Sequence, residues 1–206
     1  MQAITDLIMY FQKGGLVMWP LLACSVTVIA IAIERFIYYK SVDSGAAFAA
    51  RYCAAVRSGD FAVAAELARK GSGQCAQMLA DAAAIDGGKA EKSAFLESRA
   101  GIFMATLRDK LDYLGIIVTM SPLLGLLGTI VGMIGAFSIF NVEAGAPMAI
   151  TGGIGEALIA TATGLCVAIL SLCAHSYFAH RMDNMITDME QCFSALLEAE
   201  TRRTRS

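Results

Sequence analysis

Three windows, each long enough to cross a bilayer, constrain this chain more than anything else in it. Gly14–Ile33 and Tyr113–Val142 carry no charge, and Ala144–Ala174 carries one, Glu156. About 20 consecutive apolar residues span the hydrocarbon core, where every backbone polar group must be satisfied within a helix or a closed barrel. No strand-like alternation is present, so the predicted class is all-α, an integral membrane protein with three transmembrane helices. The bulk numbers agree: 57% hydrophobic residues, 17% charged and a mean hydropathy of +0.60. A net charge of −2 argues against a general nucleic-acid binder, and neither GxxxxGKS nor HExxH occurs.

Neither a cofactor nor a metal is expected. Cys24, Cys53, Cys75, Cys166, Cys173 and Cys192 form no CxxC pair, and reduced thiols are the expectation. Cys166 and Cys173 share a helix face, which packing explains. His175 and His180 are five apart, a poor spacing for a joint helical site. Ala30-Ile31-Ala32 imitates a signal cleavage site, but the leading residues balance Lys13 against Asp6 and lack a basic n-region. The first window is therefore read as a retained helix.

Lysine and arginine near the span ends set the expected orientation. Arg35, Lys40 and Arg51 follow the first span, Arg99, Arg108 and Lys110 precede the second, and Arg181, Arg202, Arg203 and Arg205 follow the third. The connection between the second and third spans has none. The predicted layout is an outside N-terminus (1–13), a first span (14–33), an inside helical region (34–110), a second span (111–141), an outside loop (142–149), a third span (150–176) and an inside C-terminal helix and tail (177–206). Trp19 suits the outer interface, and Tyr38 and Tyr39 the inner one. The terminal arginines read as a solvated tail, with membrane lipids as possible contacts.

Within 34–110, Ala-rich stretches at 45–57, 61–70 and 75–85 are separated by Ser58-Gly59-Asp60, Gly71-Ser72-Gly73 and Asp86-Gly87-Gly88. From Lys89 no breaker intervenes before Pro122. Leu96, Phe103, Leu107 and Leu114 recur at near-helical spacing, so one helix over 89–140, about 75 Å long, is expected. Pro122 favours a kink. After the third span, Met182, Ile186, Met189, Phe193 and Leu197 form an expected apolar face. Such faces pack on each other within one chain or against further copies.

Two small-residue rows stand out. Ser121, Gly125, Gly128, Gly132 and Gly135 fall at intervals of 4, 3, 4 and 3 in the second span. A row without bulky side chains lets another helix come close. In the third span Ala157, Thr161, Gly164, Ala168, Ser171 and His175 keep the same rhythm. Thr129 lies on the flank of the first row, and Thr163 shares the face of Glu156, two turns on. Helix packing explains the glycines but not Glu156. An acid at that depth needs a proton, a partner or water, so it points to ion or proton handling, or else to a structural hydrogen bond or ion pair. The apolar cores of the other two spans contain no Asp or Glu, so a second titratable group should come from another chain.

The run SPLLGLLGTIVGMIGAF, followed by GEALIATATGL, closely resembles the MotA/TolQ/ExbB proton-channel family. Three spans with the large segment after the first fit the ExbB/TolQ branch, most like ExbB, and Glu34-Arg35 resembles a motif of that branch. The resemblance implies a homopentameric ring in a bacterial inner membrane, driven by proton motive force, with the N-terminus periplasmic. It implies an ExbD- or TolR-like single-span partner bringing an aspartate into the pore, and a TonB- or TolA-like protein receiving the work. On that analogy Thr129 and Thr161 match pore-facing threonines and Glu156 the membrane glutamate, while Thr163 and Ser121 are placed by helical position alone. An enzyme is not expected, since no Ser/His pair shares a depth in the spans. A TolQ-like envelope role and a non-conducting scaffold stay open.

Overall fold

The computed structural model describes residues 11, 14–142 and 147–203, with side chains excepted over 139–150 and at 203. Residues 1–10, 12 and 13 of the expected N-terminal segment, 143–146 of the outside loop and 204–206 of the tail, including Arg205, lie outside the described residues. Every regular element among the described residues is helical: α1 (Met18–Val42), α2 (Ala46–Arg57), α3 (Phe61–Lys70), α4 (Gln74–Ala83), α5 (Lys89–Arg108), α6 (Leu111–Val142) and α7 (Pro147–Arg203). Three apolar stretches, in α1, α6 and α7, are long enough to cross a membrane, and only 17%, 28% and 33% of their apolar windows is buried in the single chain. The chain divides into two compact units, Met1–Ile33 with Lys110–Ser176, and Glu34–Asp109 with Tyr177–Ser206.

The first unit holds the apolar helices. Val17, Met18 and Leu21 form a small core at the start of α1, with Phe11 and Leu124 packed against it. Ser171, fully buried on α7, donates to the Leu114 carbonyl of α6 at 2.9 Å. Helix α6 runs through Pro122 without interruption.

The second unit is built on small residues. Ala49, Tyr52, Cys53 and Val56 of α2, Ala64 and Ala68 of α3, and Ala76, Leu79 and Ala82 of α4 are buried. The helices start and stop at the Gly and Asp punctuation, and Asp60 caps α3 by accepting from the Val63 amide at 3.2 Å. Lys92 of α5 and Glu200 of α7 form a largely buried ion pair at 2.7 Å, and Arg181 of α7 reaches Asp43 at 2.7 Å. Cys53 and Cys192 bring their sulfurs to 4.0 Å. Burial pushes the Cys53 thiol up to about 11, so it stays protonated and unreactive at neutral pH.

Two expectations are corrected here. The single helix over 89–140 does not form. α5 ends at Arg108, Asp109 adopts φ −43 and ψ 150, and Lys110 has φ +56. A helix end orphans its last carbonyls, and α1 supplies donors for two of them. Arg35 Nη1 donates to Thr106 O at 2.9 Å, and the Tyr39 hydroxyl donates to Leu107 O at 2.8 Å. Arg35 is 3% exposed; its other edge grips Glu34 at 2.8 and 3.1 Å, and its guanidinium lies 5.0 Å from the Tyr38 ring centroid. These tertiary donors, not a local breaker, allow the break. Tyr39→Phe leaves the Leu107 carbonyl without this donor, which costs about 1–3 kcal/mol. A lowered thermal midpoint of the purified chain in detergent is the expected result.

The face expected after the third span is also rotated. The buried row is Phe178, Met182, Met185, Met189, Cys192, Ala195 and Ala199, with Ile186, Phe193 and Leu197 only half-buried on its flank. Phe178 and three methionines fill the part of the row nearer the span, and Cys192, Ala195 and Ala199 the part towards the helix end.

Candidate functional site

The site is assembled in the first unit, where α6 and α7 come into near-backbone contact. A Cβ built on Gly125 would lie 3.0 Å from Thr161 Cα, and one on Gly128 would lie 2.5 Å from Ala160 Cβ. On Gly132 it would meet Gly153 O at 3.0 Å. From the other side, a Cβ on Gly164 would sit 2.5 Å from Ser121 O and 3.1 Å from Gly125 Cα. A Cβ on Gly135 would meet nothing within 4 Å among the described residues, whereas one on Gly153 would lie 2.6 Å from Ala136 Cβ. Ala160, fully buried, and Gly153 are part of this contact and were not singled out from spacing. Their signal was the same small-residue rhythm, shifted one position around α7.

Hydroxyls decorate this contact. Thr161 donates to Gly125 O across the helix pair at 3.0 Å. Thr129 donates to Leu126 O at 2.6 Å and Thr163 to Ile159 O at 2.8 Å, each within its own helix. All three threonines therefore have their hydrogen committed to a carbonyl and present only oxygen lone pairs to any further group. Ser121 is fully buried and its Oγ has no hydrogen-bond partner among the described residues.

Glu156 is half-buried on α7. No hydrogen bond or ion pair reaches its carboxyl among the described residues; its close neighbour is Gly15, in the turn before α1. Glu156 and Thr163 share a flank of α7 but stand about 10 Å apart along its axis. The structure brings Thr161 onto α6 and Glu156 onto the N-terminal turn. It does not gather Glu156, Thr129, Thr161 and Thr163 into one hydrogen-bonded cluster. What the arrangement offers is one acid within a long apolar helix, with hydroxyl oxygens one and two turns away. Among the described residues no group of three His, Cys, Asp or Glu side chains is placed to hold a metal ion.

Comparison with known proteins gives this arrangement a context. Residues 65–191 match the MotA/TolQ/ExbB proton channel family. A biopolymer transport protein of Synechocystis, ExbB-like 3, is 32% identical over 166 residues, covering 78% of this chain and 79% of that protein. Biopolymer transport protein exbB1 of Vibrio cholerae is 27% identical over 186 residues, covering 87% and 82%. The Tol-Pal system protein TolQ of Pseudomonas aeruginosa is 36% identical over a shorter 81 residues, covering 39% and 35%. The matched region includes the α6–α7 contact and Glu156, and the chain accordingly belongs to the MotA/TolQ/ExbB proton channel family, a group of membrane transport proteins.

Proposed function

We propose that this chain is an ExbB-like subunit of an inner-membrane motor, driven by proton motive force and working with a single-span ExbD-like partner to energise TonB-dependent transport across an outer membrane. The observation that carries the reading is Glu156, an acid in an apolar helix with no hydrogen-bond or ion-pair partner among the described residues. A carboxyl left so is costly unless it exchanges a proton or meets a group from elsewhere. An aspartate on a partner helix supplies the second titratable site, and Thr129, Thr161 and Thr163 supply acceptor oxygens along the path. The largely exposed apolar faces of α1, α6 and α7 support assembly of several copies, a pentameric ring in this reading. The second unit and the C-terminus are cytoplasmic on the lysine and arginine distribution.

Similarity to ExbB-type proteins extends over most of the chain, whereas that to TolQ is confined to 39% of it. That breadth favours the ExbB-like role. The higher identity within the TolQ segment keeps a Tol-Pal-type envelope role as the second reading.

Co-expression with neighbouring genes, followed by native mass spectrometry of the affinity-purified complex, tests the proposal. The expected result is a ring of this chain holding a small single-span protein with a membrane aspartate. A neighbouring TonB-like or TolA-like protein then separates the two roles. A ring that never recruits such a partner leaves Glu156 without its counterpart, and the non-conducting scaffold replaces the motor.

A further inference from the structure

The chain turns at Gly14-Gly15 just before α1, and this turn lies on the flank of α7 that carries Glu156. Gly14 is buried, and a Cβ there would approach Ile159 Cγ2 to 3.3 Å. Gly15 has φ +72, a conformation that L side chains rarely adopt. A Cβ on Gly15 would run into Glu156 Oε1 and lie 2.8 Å from its carboxyl carbon. Two separate constraints thus select glycine at this position, and only one of them involves the acid. Gly45 and Gly59 also have positive φ, +81 and +80, yet have open space among the described residues where a Cβ would be.

No hydrogen bond or ion pair anchors the Glu156 carboxyl among the described residues, and the contact they give it is packing against Gly15. Resting on the reading of Glu156 as a proton-carrying acid, we propose that Gly15 is a positioning residue: its bare Cα packs against the Glu156 carboxyl and holds it in the location from which it exchanges protons. A Cβ here meets the far end of a flexible side chain, not backbone. Glu156 therefore swings to another rotamer while the fold survives. The turn acts on the proton path through the acid, without touching the proton itself.

The test uses the full chain with its co-expressed partner in phospholipid vesicles. Two readouts are taken: proton flux by a pH-sensitive dye, and the Glu156 carboxyl band by infrared spectroscopy with isotope-labelled glutamate, assigned by its loss in Glu156→Gln. Gly15→Ala is expected to shift the band and to lower flux by about tenfold to a hundredfold, as a displaced reacting group does. Gly45→Ala, which also places a side chain at a positive φ, is expected to change neither. In a Glu156→Asp background, Gly15→Ala is expected to cause no further loss, because the shorter acid has withdrawn from the added carbon. An unmoved band overturns the positioning role whatever the flux does. A shifted band with unchanged flux keeps the positioning role and removes Glu156 from the proton path. If Gly15→Ala alone does not accumulate, recovery of folded protein by Glu156→Asp supports the contact, and failure to recover overturns it.

Discussion

Glu156→Gln is expected to lower proton flux by about a hundredfold or more, the usual contribution of a positioned acid–base group, and to stop growth on a nutrient that requires TonB-dependent uptake. The substitution is close to isosteric, so the packing against Gly15 persists. It breaks no hydrogen bond, because none reaches the carboxyl among the described residues. What it removes is the ability to take up and release a proton. Folding and assembly are accordingly expected to stay at wild-type levels, and thermal melting of the purified complex checks this. Glu156→Asp keeps the acid but draws it back by one methylene, so it should fall between wild type and Gln. Wild-type flux and growth in the Gln variant would favour a scaffold that holds partner helices without moving protons.

The second large effect is expected at Gly164. Its missing Cβ faces backbone, with Ser121 O at 2.5 Å and Gly125 Cα and N at 3.1 and 3.2 Å. No rotamer change relieves a collision with backbone, so α6 and α7 must separate. Even Gly164→Ala should cost about 1–3 kcal/mol, the usual penalty of overpacking, and Gly164→Leu should prevent accumulation of the folded chain. Separation also stretches the Thr161 to Gly125 and Ser171 to Leu114 hydrogen bonds, which adds to the loss. Gly135 is the contrast, with open space among the described residues where a Cβ would be. Gly135→Leu is expected to leave the thermal midpoint of the monomer intact and to change only the oligomer seen in detergent. If Gly164→Leu melts like wild type, the close approach of α6 and α7 is not what holds this pair together.

Both predictions start from features legible in the linear chain. Hydropathy locates the apolar helices because the bilayer requires a minimum apolar length whatever the tertiary fold. Gly59, Gly71, Gly73 and Gly88 stand at or beside the ends of α2 to α5, because breaks of that kind are made by local backbone preference. An acid in an apolar stretch is equally visible, since its cost is a property of the medium.

Other features depend on neighbours distant in sequence. The interruption at Asp109-Lys110 has no strong local breaker; donors from Arg35 and Tyr39, about 70 positions earlier in the chain, satisfy the carbonyls it exposes. The buried face of the last half of α7 runs through Phe178, Met182, Met185, Met189, Cys192, Ala195 and Ala199, because the position of its neighbours, and not the size of its own side chains, selects which face goes inward. Ala160 and Gly153 join the α6 contact for the same reason. The setting of Glu156 likewise emerges only when a turn some 140 positions earlier is laid against it. Length, medium and local backbone preference are encoded along the chain and determine where the helices run. Which carbonyl finds a donor, which face goes inward and which atom lies against the acid are set by through-space contacts, and only the tertiary structure decided those.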